Sequence, residues 1–179
     1  MKWSERQIAG YLARITFQRK HLIVPNCNWT GNECDLLVVT PNLRIIDVEI
    51  KISRADLRAD AAKDKWWHPR PWRRHGEPQP QRTPRVWPPR VWKHFYCLPK
   101  EIWTPELFVG MAPVSGVLLI RDAGPGVFHI SCVRKSRPNR DAEKIDAEDA
   151  IDIARLAGLR MWDAYAEVDR LGWREKVAA

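Results

Sequence analysis

Cysteine is scarce in this sequence, and long apolar runs are absent from it. The four cysteines include no Cys-x-x-Cys pair, so they are too few for a disulfide scaffold and predict reduced thiols. No apolar stretch approaches the roughly 18 residues that a membrane helix needs. The opening residues, MKWSERQIAG, also lack the apolar core of a secretory signal. The 179 residues therefore predict one cytoplasmic domain with no membrane partner.

Acidic residues are fewer than basic residues, and one segment carries most of the resulting net positive charge. The chain has 30 Lys and Arg residues against 22 Asp and Glu residues, a formal charge of +8. Between Lys65 and His94, eight basic residues stand against the single acid Glu77, among seven prolines and five tryptophans. Because proline removes a backbone donor and fixes φ, we predict that residues 67–92 form an irregular insertion.

The insertion interleaves arginines with aromatic rings, a combination that suits unpaired nucleic acid. Guanidinium groups bind phosphates, and rings stack on exposed bases at ~1–3 kcal/mol per base. The alternative is a proline-stiffened loop that packs its tryptophans and leaves its arginines solvated. The residues expected to contact nucleic acid are Arg70, Arg73, Arg74, Arg82, Arg85, Arg90, Trp72 and Trp87.

Hydrophobic periodicity and turn signals predict an α/β domain around one mixed sheet. Ser4 and Gln7 form a capping-box pattern, and residues 40–42 predict the tight turn of an antiparallel hairpin. The predicted elements are a helix over 5–18, an apolar run at 21–24, strands over 34–40 and 43–53, a helix from 54 to Pro69, strands over 93–99, 116–121 and 127–135, and a C-terminal helix over 147–171, capped by Asp146 and ended by Gly172.

The second strand of the predicted hairpin has one apolar face and one charged face. Side chains alternate along a strand, so Asp47, Glu49, Lys51 and Ser53 share a face with Ile45. The opposite face carries Ile46, Val48, Ile50 and Ile52 and is expected to be core. Because burying unpaired charges is costly, the charged row either faces water or is held for a function.

Two carboxylates beside a lysine suit metal-dependent phosphodiester hydrolysis. Asp35, at the start of the neighbouring strand, is placed to converge with Glu49 on one divalent cation. Mg²⁺ keeps several waters, so two carboxylates and a backbone carbonyl, that of Ile50, suffice as protein ligands. A metal activates water and neutralises phosphate charge, while Lys51 orients the water or stabilises developing charge. The expected cofactor is Mg²⁺ or Mn²⁺.

At these residues the sequence resembles the PD-(D/E)xK nuclease superfamily. ECDLLVV is followed, fourteen residues after its aspartate, by EIK, although Cys34 replaces the proline of the motif. The strings VEIKISRADLRAD and FYCLP are similar to MmcB-like DNA-repair proteins and related phage nucleases. The resemblance covers roughly residues 1–66 and 92–133.

The resemblance implies a fold and a set of roles. The fold is a restriction-endonuclease-like αβββαβ core with a mixed central sheet, to which the insertion and the C-terminal helix are added. Asp35 and Glu49 become metal ligands and Lys51 the catalytic lysine. The implied partner is DNA, with branched, nicked or single-stranded forms favoured, in repair, recombination or phage DNA processing. A homodimer is also implied.

Three further residues are candidates for the same site. Glu5 lies on the inward stripe of the first helix, where many superfamily members place a catalytic acid, but the helix dipole alone also favours an acid there. Asp47 is expected to support the site through an ion pair. Ser53 is expected to cap the following helix, and its hydroxyl could also contact phosphate.

Other charged residues near the motif have simpler explanations. Asp56, Asp60 and Lys63 form one polar stripe on the predicted helix, which we interpret as a solvated face. Glu33 is a substitute for Asp35 only if the strand register shifts. The His-x-x-Cys spacings at His94 and His129 place their residues on opposite strand faces, which argues against zinc.

Two other functional classes stay open. One is a non-catalytic nucleic-acid-binding or phage assembly protein built on a nuclease fold. The other is a protein whose Trp/Pro-rich loop docks a partner protein. Metal-dependent cleavage separates the nuclease from the first class, and salt-sensitive DNA binding separates it from the second.

Overall fold

The computed structural model describes residues 3–20, 22–72, 75–76 and 79–178, with side chains described as far as Leu171. Within these residues six strands form one sheet in the order β1 to β6. The strands are β1 Leu22–Cys27, β2 Cys34–Val39, β3 Ile45–Ile50, β4 Lys93–Pro99, β5 Gly116–Gly124 and β6 Val127–Arg134. The α-helices are α1 Glu5–Tyr11, α2 Arg54–Asp60 and α3 Ala147–Ala178.

The sheet is mixed, as the sequence predicts. Strands β1, β2 and β3 form an antiparallel meander, β3, β4 and β5 are parallel, and β5 pairs with β6 in an antiparallel hairpin. Helix α2 lies in the connection from β3 to the parallel strand β4. The protein is thus a mixed α/β domain with a C-terminal helix.

Local sequence signals explain the elements that lead to β3. Ser4 Oγ accepts the N–H of Gln7 at 3.2 Å and Gln7 Oε1 accepts the N–H of Ser4 at 3.1 Å, so the capping box is confirmed. Helix α1 then continues as a π-helical turn, Leu12–Thr16. In the β2–β3 turn, Thr40 Oγ1 accepts the N–H of Arg44 at 3.0 Å, and Leu43 adopts a left-handed φ of 60°.

Two predicted helices and one strand have wrong boundaries. Helix α2 ends at Asp60 rather than at Pro69, and the chain turns back into a 3₁₀ helix, Asp64–Trp66. Helix α3 continues through Gly172, because a glycine costs about 1 kcal/mol inside a helix but does not by itself end one. Since β3 ends at Ile50, Ile52 lies beyond the strand and is exposed rather than core.

Apolar side chains cover both faces of the sheet and leave a polar gap on one of them. Helix α1 covers one face, where Ile8 and Leu12 pack with Ile46, Val48 and Ile50. On the other face, α3 packs at one end through Ile153. Leu57, Trp66, Tyr96 and Leu98 form a separate apolar cluster there. The charged row of β3 belongs to neither of these two clusters.

The insertion, residues 67–92, is called the arm below. Its described residues contain neither a helix nor a regular strand, only an isolated bridge between Trp67 and Pro84. His68 donates its N–H to the carbonyl of Thr83 at 2.8 Å, and Arg85 donates its own to the carbonyl of Trp66 at 2.7 Å. The arm therefore doubles back on itself at its base. No helix of the described chain is long and apolar enough to cross a membrane.

Candidate active site

The charged row of β3 is buried rather than solvated. Asp47, Glu49 and Lys51 are each at most 2% exposed. Moving ionised groups out of water costs several kcal/mol per ion unless they are paired and hydrogen-bonded. The partners of these three side chains therefore define the site.

Asp35, Glu49 and Lys51 lie together, as the motif predicts. The antiparallel register pairs Leu36 with Val48, which places Asp35 opposite Glu49 on the adjacent strand. Lys51 Nζ lies 2.5 Å from Glu49 Oε2 and 4.0 Å from Asp35 Oδ2. Asp35 Oδ2 also accepts the N–H of Ile50 at 2.6 Å. One ammonium group thus lies within reach of both carboxylates.

Two more lysines reach Glu49 from the turn after α2. Lys63 Nζ lies 2.8 Å from Glu49 Oε2, and Lys65 Nζ lies 2.6 Å from Oε1. Burial alone would raise the pKa of Glu49, but the charges of Lys65 and Lys51 outweigh it and lower the pKa. Lys65 is fully buried, whereas the side chain of Lys63 is 42% exposed. Lys63 is the lysine with access to solvent.

Asp60, at the end of α2, is the second anchor of these lysines. Its Oδ1 lies 3.2 Å from Lys51 Nζ and 3.3 Å from Lys63 Nζ. Its Oδ2 accepts the indole N–H of Trp66 at 3.0 Å and the hydroxyl of Tyr96 at 2.6 Å. Burial opposes ionisation, yet Lys65, Lys51 and the two hydrogen bonds hold the pKa of Asp60 below its ordinary value.

Asp47 makes an ion pair within the same group. Its Oδ2 lies 3.3 Å from Lys65 Nζ, and Lys65 Nζ lies 3.2 Å from His94 Nε2. Because an ammonium group only donates, Nε2 is the accepting nitrogen and His94 is neutral, with Nδ1 donating to Ser115 Oγ at 2.8 Å. Burial and the nearby Lys65 charge lower the pKa of His94, consistent with this state.

The buried charged residues around Glu49 are called the Glu49 cluster below. Sequence analysis did not predict all of its members. The cluster comprises Asp47, Glu49, Lys51, Asp60, Lys63, Lys65 and His94. The prediction that Asp60 and Lys63 face solvent is wrong for Asp60, which is buried, and overlooks the ion pairs of Lys63. The cause is the early end of α2, which turns Lys63 and Lys65 back towards β3. Asp47 and Glu49 outnumber Lys51 on this face of β3, and because buried carboxylates need counter-ions, this imbalance predicts further cations nearby.

Asp35 is the acid at the edge of the cluster that faces a groove. The groove has a volume of about 660 Å³ and is lined by Asp35, Ile50 and Glu5, with Arg160 and Glu167 from α3. The Asp35 side chain is 21% exposed. Burial and the charge of Glu49 raise the pKa of Asp35 from 3.8 to about 6. This pKa lies well above that of an ordinary aspartate, so the Asp35 carboxylate is ionised at neutral pH and protonated below about pH 6.

The other predicted residues fall at the margins. Glu5 is exposed on α1 and lines the same groove as Asp35, outside the Glu49 cluster. Ser53 caps α2, since its Oγ accepts the N–H of Asp56 at 3.1 Å. Glu33 is exposed. Asp56 lies 4.0 Å from Lys51 Nζ and is 37% exposed.

Comparison with known proteins gives a likeness in fold. No protein-family model matches the chain, and no curated protein matches it. A solved structure of a protein of unknown function from Silicibacter pomeroyi matches with a TM-score of 0.54 and 17% sequence identity. The match covers 94% of each chain. The two proteins share a fold.

The predicted nucleic-acid-binding residues lie in differing surroundings along the arm. Arg82 pairs with Asp64 at 2.6 Å, Arg70 hydrogen-bonds Gln79, and Arg90 lies 4.9 Å from the ring centroid of Trp29. Trp72 is 85% exposed. The indole N–H of Trp87 donates to the carbonyl of Arg137 at 3.4 Å. Arg73 and Arg74 lie outside the described residues.

His94 and Cys97 lie on opposite faces of the sheet, as strand alternation predicts. His94 belongs to the Glu49 cluster, while Cys97 lies in the apolar core on the opposite face of the sheet. Cys27 on β1 lies opposite Cys34 on β2 in the strand register, and both are free thiols. Among the described residues, no three His, Cys, Asp or Glu side chains are grouped closely enough to hold a metal by themselves.

Proposed function

We propose that the protein is a metal-dependent nuclease that hydrolyses phosphodiester bonds in DNA. The observation that carries this proposal is the meeting of Asp35, Glu49 and Lys51 beside a groove that Ile50 also lines. The order of helix, antiparallel meander, crossover helix and parallel strand agrees with the αβββαβ core that the sequence resemblance implies. DNA processing is the corresponding biological role.

The donor set fits one divalent cation. Asp35 and Glu49 are neighbouring carboxylates whose mutual repulsion contributes to the raised pKa of Asp35. A cation bound to both would relieve that repulsion. We assign the carbonyl of Ile50 as the third protein ligand, with waters in the remaining positions, as Mg²⁺ prefers. Lys63, which is partly exposed on a flexible stem, is the group that would leave Glu49 Oε2.

The protein side chains have separate tasks in this proposal. A bound Mg²⁺ or Mn²⁺ would supply Lewis-acid stabilisation and a nucleophilic water. Lys51 contacts both carboxylates and is placed to stabilise charge that develops on the phosphate. Lys65 holds the opposite oxygen of Glu49, and Asp60 holds Lys51. Glu5, on the groove, is placed to orient water or substrate.

A cleavage assay on Lys51→Met tests the proposal. Supercoiled, linear, single-stranded and branched DNA are incubated with EDTA, Mg²⁺ or Mn²⁺. We expect metal-dependent cleavage by the wild type and a loss of about 100-fold or more in Lys51→Met, because a transition-state donor is removed. Lys100→Met, at an exposed position, controls for the change of side chain, and thermal unfolding shows that Lys51→Met is folded under the assay conditions. Undiminished cleavage by both Lys51→Met and Glu49→Gln would contradict the proposal.

One observation favours a non-catalytic nucleic-acid-binding protein as the second candidate. Both oxygens of Glu49 are already paired with lysine ammonium groups, and the side chain is fully buried. A purely structural ion-pair network has the same features. For that function, no DNA substrate gives a metal-dependent product, and calorimetric titration with Mn²⁺ gives the same result for the wild type and Asp35→Asn.

A further inference from the structure

A second cavity lies between the β1–β2 connection and the base of the arm. Its volume is about 580 Å³, which is within the range of small-molecule and cofactor pockets. Its walls come from the turn at 30–32, from Asp64, and from arm residues on both sides of the bridge between Trp67 and Pro84. The candidate catalytic residues Asp35, Glu49 and Lys51 do not line it.

Arginine dominates the charge of this cavity. Among the described residues, Arg70, Arg82 and Arg85 line it, together with one acid, Asp64. Arg82 Nη2 is neutralised by Asp64 Oδ1 at 2.6 Å. Two guanidinium groups therefore remain without a carboxylate partner among the described residues, so the cavity suits an anion.

Arg85 lines the cavity with a guanidinium group that is not fully hydrogen-bonded. Its Nε is buried and has no hydrogen-bond partner in the described part of the chain. Its backbone N–H is fixed by the carbonyl of Trp66 at 2.7 Å, which anchors the residue at the cavity wall. Buried polar groups are nearly always hydrogen-bonded, and a guanidinium group pairs best with a phosphate or carboxylate.

Trp67 adds an aromatic wall to the same cavity. Its indole N–H donates to the carbonyl of Ala61 at 3.3 Å, and the Arg82 guanidinium lies 5.3 Å from its ring centroid. The ring is thus held in place before any ligand binds. A fixed ring beside arginines that have no carboxylate partner among the described residues is a combination by which proteins hold an unpaired base and its phosphate.

We propose that this cavity binds one nucleotide of single-stranded DNA, with its phosphate at Arg85 and Arg70 and its base against Trp67. The choice of DNA as the polymer rests on the proposed nuclease function. A base must leave the duplex stack before it can meet a protein ring, which favours a single strand over a duplex. The cavity would hold the strand at a point separate from the cleavage groove.

Fluorescence anisotropy with a labelled oligothymidylate in EDTA tests the assignment. We expect Arg85→Gln to weaken binding about tenfold and to reduce the salt slope by about 0.7, because one phosphate contact to a single strand is lost. Trp67→Leu should weaken binding with an unchanged salt slope, because it removes stacking alone. Arg121→Gln, at an exposed position on β5, is the matched control and should bind as the wild type does. Unchanged thermal unfolding shows that each variant is folded.

Arg70→Gln serves as a second variant if Arg85→Gln does not fold, since Arg70 is an exposed arm residue. It is expected to weaken binding with a shallower salt slope. Binding equal to that of the wild type in the folded arginine variants would overturn the proposal.

Competition experiments identify the ligand class. Thymidine 5′-monophosphate should displace the oligonucleotide at lower concentration than inorganic phosphate does, and duplex DNA should compete poorly. Equal competition by phosphate and the monophosphate, or by duplex and single strand, would overturn the nucleotide assignment. Binding is measured without metal, so the two proposals can fail separately. If no DNA is cleaved, the proposed nuclease function is refuted but the nucleotide site is not. If DNA is cleaved and the arginine variants bind as the wild type does, only the nucleotide site is refuted.

Discussion

Two regions of the protein hold their basic side chains in opposite ways. In the Glu49 cluster the cations are lysines, and Lys51, Lys63 and Lys65 each contact at least one buried carboxylate. In the arm the cations are arginines, which stack on rings, pair at the surface or lack a carboxylate partner among the described residues. In the first region the lysine charges are neutralised by buried carboxylates, whereas in the second region arginine charges remain available to a ligand.

Counting charges by region explains where the net charge acts. Three lysines of the cluster balance its three carboxylates, Asp47, Glu49 and Asp60, and ionised Asp35 beside them leaves one negative charge in excess. The formal charge of +8 therefore does not belong to the candidate catalytic site. A site with a small negative excess suits a divalent cation, and a positive arm suits a phosphate backbone.

Removing a buried lysine should have the largest effect on stability. Lys65→Met leaves Asp47 and Glu49 buried without the ammonium group that contacts both. Breaking such a pair from one side costs about 3–5 kcal/mol, so we expect the free energy of unfolding in urea to fall by that amount. Lys100→Met, at an exposed position, should change it by less than about 0.5 kcal/mol.

A double variant sharpens this prediction. Lys65→Met combined with Asp47→Asn removes the carboxylate that the single variant leaves without a lysine partner, whereas Glu49 keeps Lys51 and Lys63. We expect part of the lost stability to return, which appears as a coupling energy in the double-mutant cycle. If Lys65→Met were as stable as Lys100→Met, the description of Lys65 as a buried counter-ion would be wrong.

The sequence predicts one side of the cluster and not the other. Strand alternation is a local rule, and it is enough to place Asp47, Glu49 and Lys51 on one face. It says nothing of Lys63 and Lys65, because helical periodicity runs on towards Pro69, and periodicity locates helix ends poorly. Counting charge along the chain then assigns Lys65 to the basic segment, although it is buried against β3.

The sheet and the caps are more predictable than the arm. Ser4, Ser53 and Asp146 cap helices through contacts only three residues away, so their signals are local. The arm has few such signals, since its prolines exclude regular structure without specifying what replaces it. Its bridge between Trp67 and Pro84 joins residues far apart in the chain, which composition does not reveal.

Asp35→Asn should raise the free energy of unfolding at neutral pH, by less than Lys65→Met lowers it. The pKa of Asp35 is raised from 3.8 to about 6, so the folded state binds a proton more tightly than the unfolded state does. Wild-type stability from this group therefore increases as pH falls from about 6 towards 3.8 and is lost at neutral pH. An asparagine, which still accepts the N–H of Ile50, should be more stable at neutral pH by about 1–2 kcal/mol.

Unfolding curves across this pH range check the sign. The advantage of Asp35→Asn should shrink as pH falls, because wild-type Asp35 becomes protonated as well. Mn²⁺ should stabilise the wild type more than the variant, since a ligand that binds the native state shifts unfolding by mass action. A variant that is less stable than the wild type at neutral pH would show that Asp35 and Glu49 do not repel each other as inferred.

Arg82→Gln should have the smallest effect on stability. It tests whether the ion pair of the arm is exposed and weak, unlike those of the Glu49 cluster. Arg82 pairs with Asp64 at 2.6 Å, but Asp64 is 85% exposed and Arg82 28% exposed. Exposed ion pairs contribute about 0.2–1 kcal/mol and are screened by salt, so the loss should lie in that range and shrink as salt is added. The Lys65→Met loss should be nearly independent of salt, because its partners are buried. Equal, salt-independent losses in the two variants would mean that the arm is held by the same buried electrostatics as the Glu49 cluster, and its arginines would then not be free for a ligand.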